Sequence, residues 1–291
     1  MDILISIPAY NEEETIERVI EEIKEVMKDA SYNYKILVLN DGSKDHTIEV
    51  AKKAGAIVVS NKRNKGLLLT FKEEIKQFLK SKADVMVHTD ADGQYLGKDI
   101  PRLIKKIEEG YDLVLGSRFS GQVEKMPLMK RFGNRAFARV ISKLAKVKIT
   151  DSTTGFRAFT RDIAEEIKYI NTFTYTQEQI LKAARLKFEI CEIPIFARST
   201  RESRLFKGPF EYAIKAWINI LRIYRDNNPI KFFGKIGLCF IIPGVAIGVY
   251  FTILHFTTGI HGHIALMVLM TLLILVGIQI ALFGFIADMN K

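Results

Sequence analysis

Cysteine is scarce in this chain, which has only Cys191 and Cys239 among its 291 residues. The two stand in unrelated contexts, so we expect neither a disulfide framework nor a cysteine metal cluster. The sequence also contains neither a G-x-G-x-x-G nor a G-x-x-x-x-G-K-[ST] pattern, which disfavours dinucleotide-binding and P-loop proteins. A nucleic-acid recognition motif is missing too. We therefore read the net charge of +10 as favouring an anionic surface or substrate, with no nucleic acid as partner.

Charged side chains are absent from two long stretches near the C-terminus, residues 236–256 and 264–286. Each stretch exceeds the roughly 20 residues that cross a hydrocarbon core as a helix. The sequence therefore predicts a membrane region over residues 232–291 that consists of two transmembrane helices joined by a short loop. Their glycines favour close helix packing or association of chains into a homo-oligomer.

Basic residues flank these stretches on one side. Lys231 and Lys235 precede the first, Lys291 follows the second, and the loop 257–263 has no Lys or Arg. The positive-inside rule then places both termini in the cytoplasm. Because Met1 leads directly into a strand-like run without a secretory signal, we expect the large domain to be cytoplasmic as well.

Residues 208–231 lie just ahead of the first span and carry aromatic and aliphatic residues at helical spacing, together with several cations. This pattern is typical of an interfacial helix, with Trp217 at headgroup depth. The alternative is a last helix of the soluble core.

The first half of the chain alternates short apolar runs with amphipathic helical segments. This alternation predicts an α/β domain with a mainly parallel, Rossmann-like sheet. In such sheets ligands bind beyond the carboxyl ends of the strands, so the residues just after each run are the candidates for function.

Asp90 and Asp92 follow the apolar run 85–88, and Gln94 comes two residues later. Two carboxylates at one strand end can converge on a divalent cation, and the Gln94 side chain can add a carbonyl oxygen. A D-x-D pair is weak by itself, but its place after the fourth strand favours a Mg²⁺ or Mn²⁺ site.

Two further strand ends carry polar residues that suit a nucleotide. Pro8, Tyr10 and Glu12 combine a fixed turn, an aromatic face and a carboxylate, whereas Asn40, Asp41 and Ser43 offer acceptors at the next strand. A base can lie beside the ring, and helix N-termini favour a diphosphate. The alternative is ordinary helix capping.

Taken in order, seven segments resemble family 2 glycosyltransferases of the GT-A fold, of the dolichyl- or polyprenyl-phosphate mannose and glucose synthase type. They are SIPAYNEEETI, VLNDGSKDHT, NKGLLLTFKEEI, DADGQ, LVLGSRF, DSTTGFRAF and EIPIFARSTRESRL. The resemblance covers about residues 1–207, which we assign to the catalytic domain.

This resemblance implies inverting transfer of a hexose from a nucleoside-diphosphate sugar, GDP-mannose or UDP-glucose, to dolichyl or polyprenyl phosphate. It implies metal on Asp90, Asp92 and Gln94. The base would contact Pro8, Tyr10, Glu12 and Asp41. The phosphates would meet Arg118, Arg131 and Arg201, with Ser203 beside them. Arg204 stands where the family usually has Lys, and Asn40 where relatives often have Asp.

Glu178 lies near the place where many inverting relatives have a catalytic carboxylate. It either contacts the sugar or assists proton transfer, or it is a solvated helix residue. A phosphate acceptor is largely dianionic at neutral pH, because its second pKa is about 6, and it needs little help from a base.

Two rival functions remain. A processive polysaccharide synthase would carry a Q-x-x-R-W motif, whose context Trp217, the single tryptophan, lacks. A non-catalytic, membrane-tethered sensor of nucleotide sugars would not need both aspartates and the basic residues.

Overall fold

The structure, a computed structural model, describes residues 1–124, 126, 128–169, 175–199, 218, 221–222, 224–226, 228–257 and 263–289. The chain forms two compact units, residues 1–211 and 212–291. Most of the juxtamembrane helix predicted over residues 208–231, including Trp217, lies outside the described residues, so that domain assignment stays a prediction.

One seven-stranded sheet forms the centre of the first unit, in the order β3-β2-β1-β4-β6-β5-β7. Its strands are β1 (Asp2–Ala9), β2 (Asn33–Asn40), β3 (Ile57–Ser60), β4 (Val85–His88), β5 (Leu113–Val123), β6 (Arg157–Thr160) and β7 (Ile190–Ala197). All neighbouring pairs are parallel except those that involve β6, which runs antiparallel to both β4 and β5. This confirms the mainly parallel α/β sheet predicted from the sequence.

The described helices of the first unit are α1 (Ile16–Asp29), α2 (Thr47–Lys53), α3 (Leu67–Lys80), α4 (Ile100–Glu108), α5 (Leu128–Ala145), α6 (Arg161–Glu166) and α7 (Tyr175–Arg185). Apolar residues at helical spacing explain why they pack on the sheet. In α1, for example, Ile16, Ile20 and Ile23 are buried in one cluster with Ile5 and Ile7 of β1.

The sequence around β6 favours two basic amphipathic helices separated by the loop 151–157, and the structure differs from that pattern. The structure has strand β6 at the end of this loop, and the helix that follows, α6, has only six residues and includes acidic Asp162, Glu165 and Glu166. A strand of four residues is too short to give a clear alternating pattern, and neighbouring strands rather than local sequence hold it in place.

The directions of the strands determine which edge of the sheet carries the candidate functional residues. Strands β1 to β4 end at one edge, at Ala9, Asn40, Ser60 and His88. Because β6 is reversed, it begins at that edge, with Arg157 paired to His88. Loops that follow β1 to β4 and the loop that precedes β6 therefore meet at one side of the sheet.

The second unit contains two long apolar helices, α8 (Pro229–Thr257) and α9 (Ile264–Met289). Both are long and apolar enough to cross a membrane, and most of their surface is exposed. Glycines bring their backbones together: a Cβ on Gly277 would lie 2.7 Å from the Gly237 carbonyl oxygen. The two helices therefore form a closely packed hairpin, as expected for the predicted transmembrane pair.

Candidate active site

Asp90 and Asp92 lie directly after β4, at the edge where the parallel strands end. Both are partly buried. No hydrogen bond from the described residues reaches the Asp90 carboxylate. Burial, and next the charge of Asp92, raise the pKa of Asp90 to about 6, although the nearby Arg118 charge opposes this shift.

This donor set fits a divalent cation. A cation would offset the burial and the repulsion from Asp92 that raise the pKa of Asp90, and carboxylate oxygens are the ligands that Mg²⁺ and Mn²⁺ prefer. Among the described residues no group of three or more His, Cys, Asp or Glu side chains is placed to hold a metal alone. The pair thus suits an ion that takes its remaining ligands from water or a substrate.

Gln94, the third predicted ligand, is held in the same turn by its backbone. Its amide donates to Asp92 Oδ1 at 3.0 Å, and its carbonyl accepts from the Arg198 amide at 2.9 Å. The turn is therefore tied to the end of β7.

Gly155, in the loop before β6, lies against the Asp90 carboxylate. A Cβ at this position would be 3.0 Å from Oδ1 and 3.2 Å from Oδ2. The Gly155 amide donates to the Tyr95 hydroxyl at 3.3 Å, and the Tyr95 ring stacks on Phe156 with centroids 5.1 Å apart. This loop covers one side of Asp90 and leaves no free room for a side chain at residue 155.

The turn after β2 is held by its own polar side chains. Asn40 accepts from the Ser43 amide at 3.1 Å. The Asp41 carboxylate accepts three hydrogen bonds, each 2.9 Å long, from the Asn61 side chain and the amides of Lys65 and Gly66. Asp41 therefore fastens the end of β2 to the loop that leads into α3.

At the end of β1, Pro8 and Tyr10 are partly exposed and Glu12 is buried. The Glu12 amide donates to the Thr47 hydroxyl at 2.9 Å, which joins this turn to the start of α2. A pocket of about 350 Å³ opens here, lined by Glu12 and its neighbours Asn11, Glu13, Glu14, Thr15, Lys44 and Asp45. The structure thus places the turns after β1 and β2 side by side, since the Asn11 amide also donates to the Ser43 hydroxyl at 2.9 Å.

Arg118, near the middle of β5, is buried and held by Asp151. Its Nε and Nη2 donate to the two Asp151 carboxylate oxygens at 2.7 and 3.0 Å, and Nη2 also donates to Thr153 at 2.9 Å. Burial alone would lower the pKa of Arg118, but the facing Tyr95 and Asp151 groups raise it, so the guanidinium remains charged. The bidentate contact fixes the plane of this cation.

Arg118 and Arg131 line one pocket of about 380 Å³, together with Phe119 and Phe196. Arg131 is exposed on α5. Two guanidinium groups contact the Phe119 ring. That of Arg118 lies 5.8 Å from the ring centroid, and that of Arg135 lies 6.0 Å from it. The structure therefore brings two predicted phosphate contacts together in a basic pocket with aromatic walls.

Glu178 is buried in the first turns of α7 and pairs with Lys182 at 2.8 Å. The alternative of a solvated helix residue is wrong, because its side chain is only 5% exposed. The remaining predicted residues, Arg201, Ser203 and Arg204, lie outside the described residues.

Sequence reasoning missed the residues whose hydrogen bonds support the candidate site without lining it. Glu192 accepts from the Thr150 and Asp151 amides at 2.8 to 2.9 Å and so supports the loop whose Asp151 grips Arg118. Glu74, His88 and Tyr175 form a second buried group, described below. Glu192 and His88 are ionisable residues in otherwise apolar strands, which is a weak sequence signal, whereas Glu74 and Tyr175 have no such signal.

Comparison with known proteins agrees with this geometry. The glycosyl transferase family 2 profile matches residues 4–168. The dolichyl-phosphate hexose transferase of Haloferax volcanii is 32% identical over 194 residues, covering 67% of this chain and 82% of that protein. The dolichol-phosphate mannosyltransferase of Pyrococcus furiosus is 29% identical over 280 residues, covering 91% of this chain and 75% of that protein.

Among solved structures, glucosyl-3-phosphoglycerate synthase from Mycobacterium tuberculosis, crystallised with Mn²⁺, UDP and phosphoglyceric acid, superimposes with a TM-score of 0.61. The match covers 76% of this chain and 77% of that one, and at 20% identity it shows the fold alone. The chain therefore belongs to glycosyl transferase family 2, and it is a glycosyltransferase whose first unit has a GT-A fold.

Proposed function

We propose that this glycosyltransferase moves a hexose, with inversion, from a nucleoside-diphosphate sugar to dolichyl or polyprenyl phosphate at the cytoplasmic face of a membrane. The observation that carries the proposal is the pocket shared by Arg118 and Arg131, in a chain that also has two helices able to cross a membrane. A lipid phosphate has an anionic group, which suits the two arginines, and a long apolar chain, which suits the two helices. The names of the relatives from Haloferax volcanii and Pyrococcus furiosus support the same acceptor class.

Asp90, Asp92 and Gln94 would hold Mg²⁺ or Mn²⁺. Bound there, the cation would neutralise charge on the departing nucleoside diphosphate. The related fold crystallised with Mn²⁺ and UDP supports a divalent cation in this role.

The nucleotide would lie over the turns after β1 and β2. Tyr10 offers a ring face for the base, while Pro8, Glu12, Asn40, Asp41 and Ser43 shape the surrounding turns. Because Asp41 already accepts three protein hydrogen bonds, we assign it mainly to holding the loop 61–66 that borders the base.

Arg118 and Arg131 would act on the phosphates. Asp151 and Thr153 keep Arg118 in one orientation, so its charge meets an anion without the cost of ordering a long side chain. Such fixed cations lower the repulsion between an anionic acceptor and an anionic donor. Arg201, Ser203 and Arg204 would complete this group, and Glu178 would contact the sugar or assist proton transfer.

For the membrane part we propose that residues 1–207 form the catalytic domain and residues 208–231 an interfacial helix. Helices α8 and α9 would be the anchor, with both termini cytoplasmic. Lys231 and Lys235 in the first two turns of α8 support this orientation.

The decisive experiment is a panel assay with the purified full chain in lipid nanodiscs. GDP-mannose and UDP-glucose, each radiolabelled, are offered with polyprenyl phosphate, with a polyprenol that lacks the phosphate, and without acceptor. We expect one labelled sugar per lipid phosphate and no product on the polyprenol. Transfer to the polyprenol alone would contradict a phosphate acceptor.

The same assay separates the rival functions. A processive synthase would give a ladder of products longer than one sugar. A sensor would bind the donor without turnover, although the family assignment already argues for catalysis.

A further inference from the structure

A buried polar chain links α3, β4 and α7 behind the candidate metal site. His88 Nδ1 lies 2.7 Å from Glu74 Oε2, and His88 Nε2 lies 3.2 Å from the Tyr175 hydroxyl. The side chains of Glu74 and His88 are fully inaccessible to solvent, and Tyr175 is buried.

Ionisable groups are costly in such a place. Burying a carboxylate and an imidazole is unfavourable unless their hydrogen bonds are made, and apolar residues of similar size often serve a core as well. Among the residues that the structure describes, Glu74 Oε1 finds no hydrogen-bond partner. Packing of the core alone does not require these polar groups. Their hydrogen bonds therefore indicate a role in fixing the geometry of the surrounding elements.

The contacts fix the histidine ring. Nδ1 faces a carboxylate and therefore donates to it, and in the neutral ring Nε2 then accepts from the Tyr175 hydroxyl. Phe71 packs edge-on against the ring of His88 at 5.3 Å and lies 4.2 Å from that of Tyr175. Each nitrogen thus has one partner, and the ring cannot turn without losing both.

The positions of these residues in the chain show which elements the hydrogen bonds connect. His88 is the last residue of β4, two residues before Asp90, and Tyr175 is the first residue of α7, one turn before Glu178. Arg157, the strand partner of His88, makes a second tether: its Nη1 donates to the Thr176 carbonyl at 3.2 Å and to the Gln179 side chain at 2.8 Å. The first turn of α7 is therefore attached twice to strands that end at the metal site.

We propose that His88 is a positioning residue for glycosyl transfer, which acts by holding the first turn of α7, through Tyr175, in register with the strand that carries Asp90 and Asp92. The catalytic consequence rests on the proposed function, because it takes the Glu178 turn to be part of the sugar site. The positioning itself does not depend on the identity of the acceptor.

Two substitutions of His88 separate its two hydrogen bonds. An asparagine amide reaches the place of Nδ1 and keeps the Glu74 contact, whereas a glutamine amide reaches the place of Nε2 and keeps the Tyr175 contact. We expect His88→Asn and Tyr175→Phe each to lower kcat by about tenfold, the worth of one buried hydrogen bond, with the donor KM within about twofold of wild type. His88→Gln should stay close to the wild-type kcat.

Additivity and a matched control make the comparison specific. The double variant His88→Asn/Tyr175→Phe should be no slower than the slower single variant, because both remove the same contact. Tyr169→Phe removes another buried hydroxyl from the same aromatic cluster, 5.2 Å from Phe71, and should leave kcat unchanged. A loss shared by Tyr169→Phe, or an unchanged kcat in both test variants, would overturn the proposal.

Hydrogen exchange of the full chain decides the positioning independently of the acceptor. His88→Asn and Tyr175→Phe should speed exchange in α7 and leave α1 unchanged, whereas His88→Gln should not. Unaltered exchange in α7 would contradict the proposal even if transfer fell. A wild-type chain that cannot glycosylate polyprenyl phosphate would instead contradict the proposed function, and the exchange experiment would still test His88.

Discussion

At the residue scale, the pair Asp90 and Asp92 gives the most direct test of the metal. We expect Asp92→Ala to remove nearly all transfer while the chain stays folded, because one carboxylate cannot hold the cation against water. Chelation of the wild type should have the same effect, reversed by added Mg²⁺ or Mn²⁺. Steady-state transfer with circular dichroism as the folding check measures this. Full turnover of Asp92→Ala in chelator would rule the metal site out.

Gly155 tests how closely the loop before β6 fits the metal site. The added methyl of Gly155→Ala would press on both carboxylate oxygens of Asp90, at 3.0 and 3.2 Å. Displacing a ligand through its neighbour typically costs about 10- to 100-fold in metal affinity. We expect the Mn²⁺ concentration for half-maximal activity to rise by that factor, with activity restored at high Mn²⁺. An unchanged Mn²⁺ dependence would show that Asp90 does not bind the ion in this orientation.

Substitution of the two arginines in the basic pocket should have different effects on activity and on the stability of the fold. Arg131 is exposed, so Arg131→Ala should lower kcat/KM by about 10²-fold without changing the unfolding midpoint. Arg118→Ala should also destabilise the fold, by about 3–5 kcal/mol, because it leaves Asp151 buried without its partner. Arg139→Ala, exposed on the same helix as Arg131 but outside the pocket, is the control.

Glu178 distinguishes an ionised acceptor from a neutral one. If the nucleophile is a phosphate, Glu178→Gln should cost less activity than Arg131→Ala, since there is little proton to remove. Should Glu178→Gln abolish transfer while Arg131→Ala stays near wild type, the acceptor would be a hydroxyl group, and the polyprenyl-phosphate proposal would fail.

At the scale of the element, the glycines of the α8–α9 hairpin have separable roles. A Cβ on Gly277 would lie 2.5 Å from Ile241 Cγ1, whereas a Cβ on Gly234 would have no atom within 4 Å. Gly277→Leu should therefore destabilise the hairpin by about 1–3 kcal/mol, the usual cost of overpacking, and lower the unfolding midpoint in detergent. Gly234→Leu is the matched control and should have no effect; equal losses in both variants would contradict the packing.

Elements with strong local signals were predictable from the sequence, and those set by distant partners were not. The run 85–88 predicts β4 residue for residue, because three apolar residues and His88 stand between the polar residues Asp84 and Thr89. By contrast, β5 extends to Val123, well beyond its apolar run 113–115, since its second part pairs with β7 after an irregularity in register. Strand β6 escaped detection because its short sequence depends on β4 and β5.

Residues of the candidate site also differ in whether a local sequence pattern predicts them or only contacts with distant residues explain them. Asp90, Asp92 and Arg118 could be predicted because they follow or end clear apolar runs in recognisable motifs. Asp151 and Glu192 could not, since their contact forms only when a loop and strand β7, 41 residues apart, meet in the fold. Asp41 was predicted as a nucleotide contact, and its three protein hydrogen bonds come from a loop that sequence reasoning had not joined to it.

At the scale of the whole molecule, the two units should have separable functions. A chain that ends at Asn228 lacks α8 and α9 but keeps the entire sheet. We expect it to bind nucleotide as the full chain does and to glycosylate a short, water-soluble polyprenyl phosphate, because the chemistry belongs to the first unit. Transfer to a long-chain acceptor in vesicles should fall strongly. A full rate on the long lipid in detergent-free buffer would show that the helices are not needed for acceptor delivery.

The reversed strand β6 has a further consequence for synthesis of the chain. Strands β1 to β4 come from residues 2–88 and strands β5 to β7 from residues 113–197, and the two halves of the sheet join where β4 pairs with β6. On the ribosome β4 remains an open edge until residue 160 has emerged, so the strand that carries the two aspartates is the last of the first half to gain both neighbours. A nascent chain therefore cannot complete the candidate metal site from the first half alone, because Gly155, which lies against Asp90, is made only with the second half.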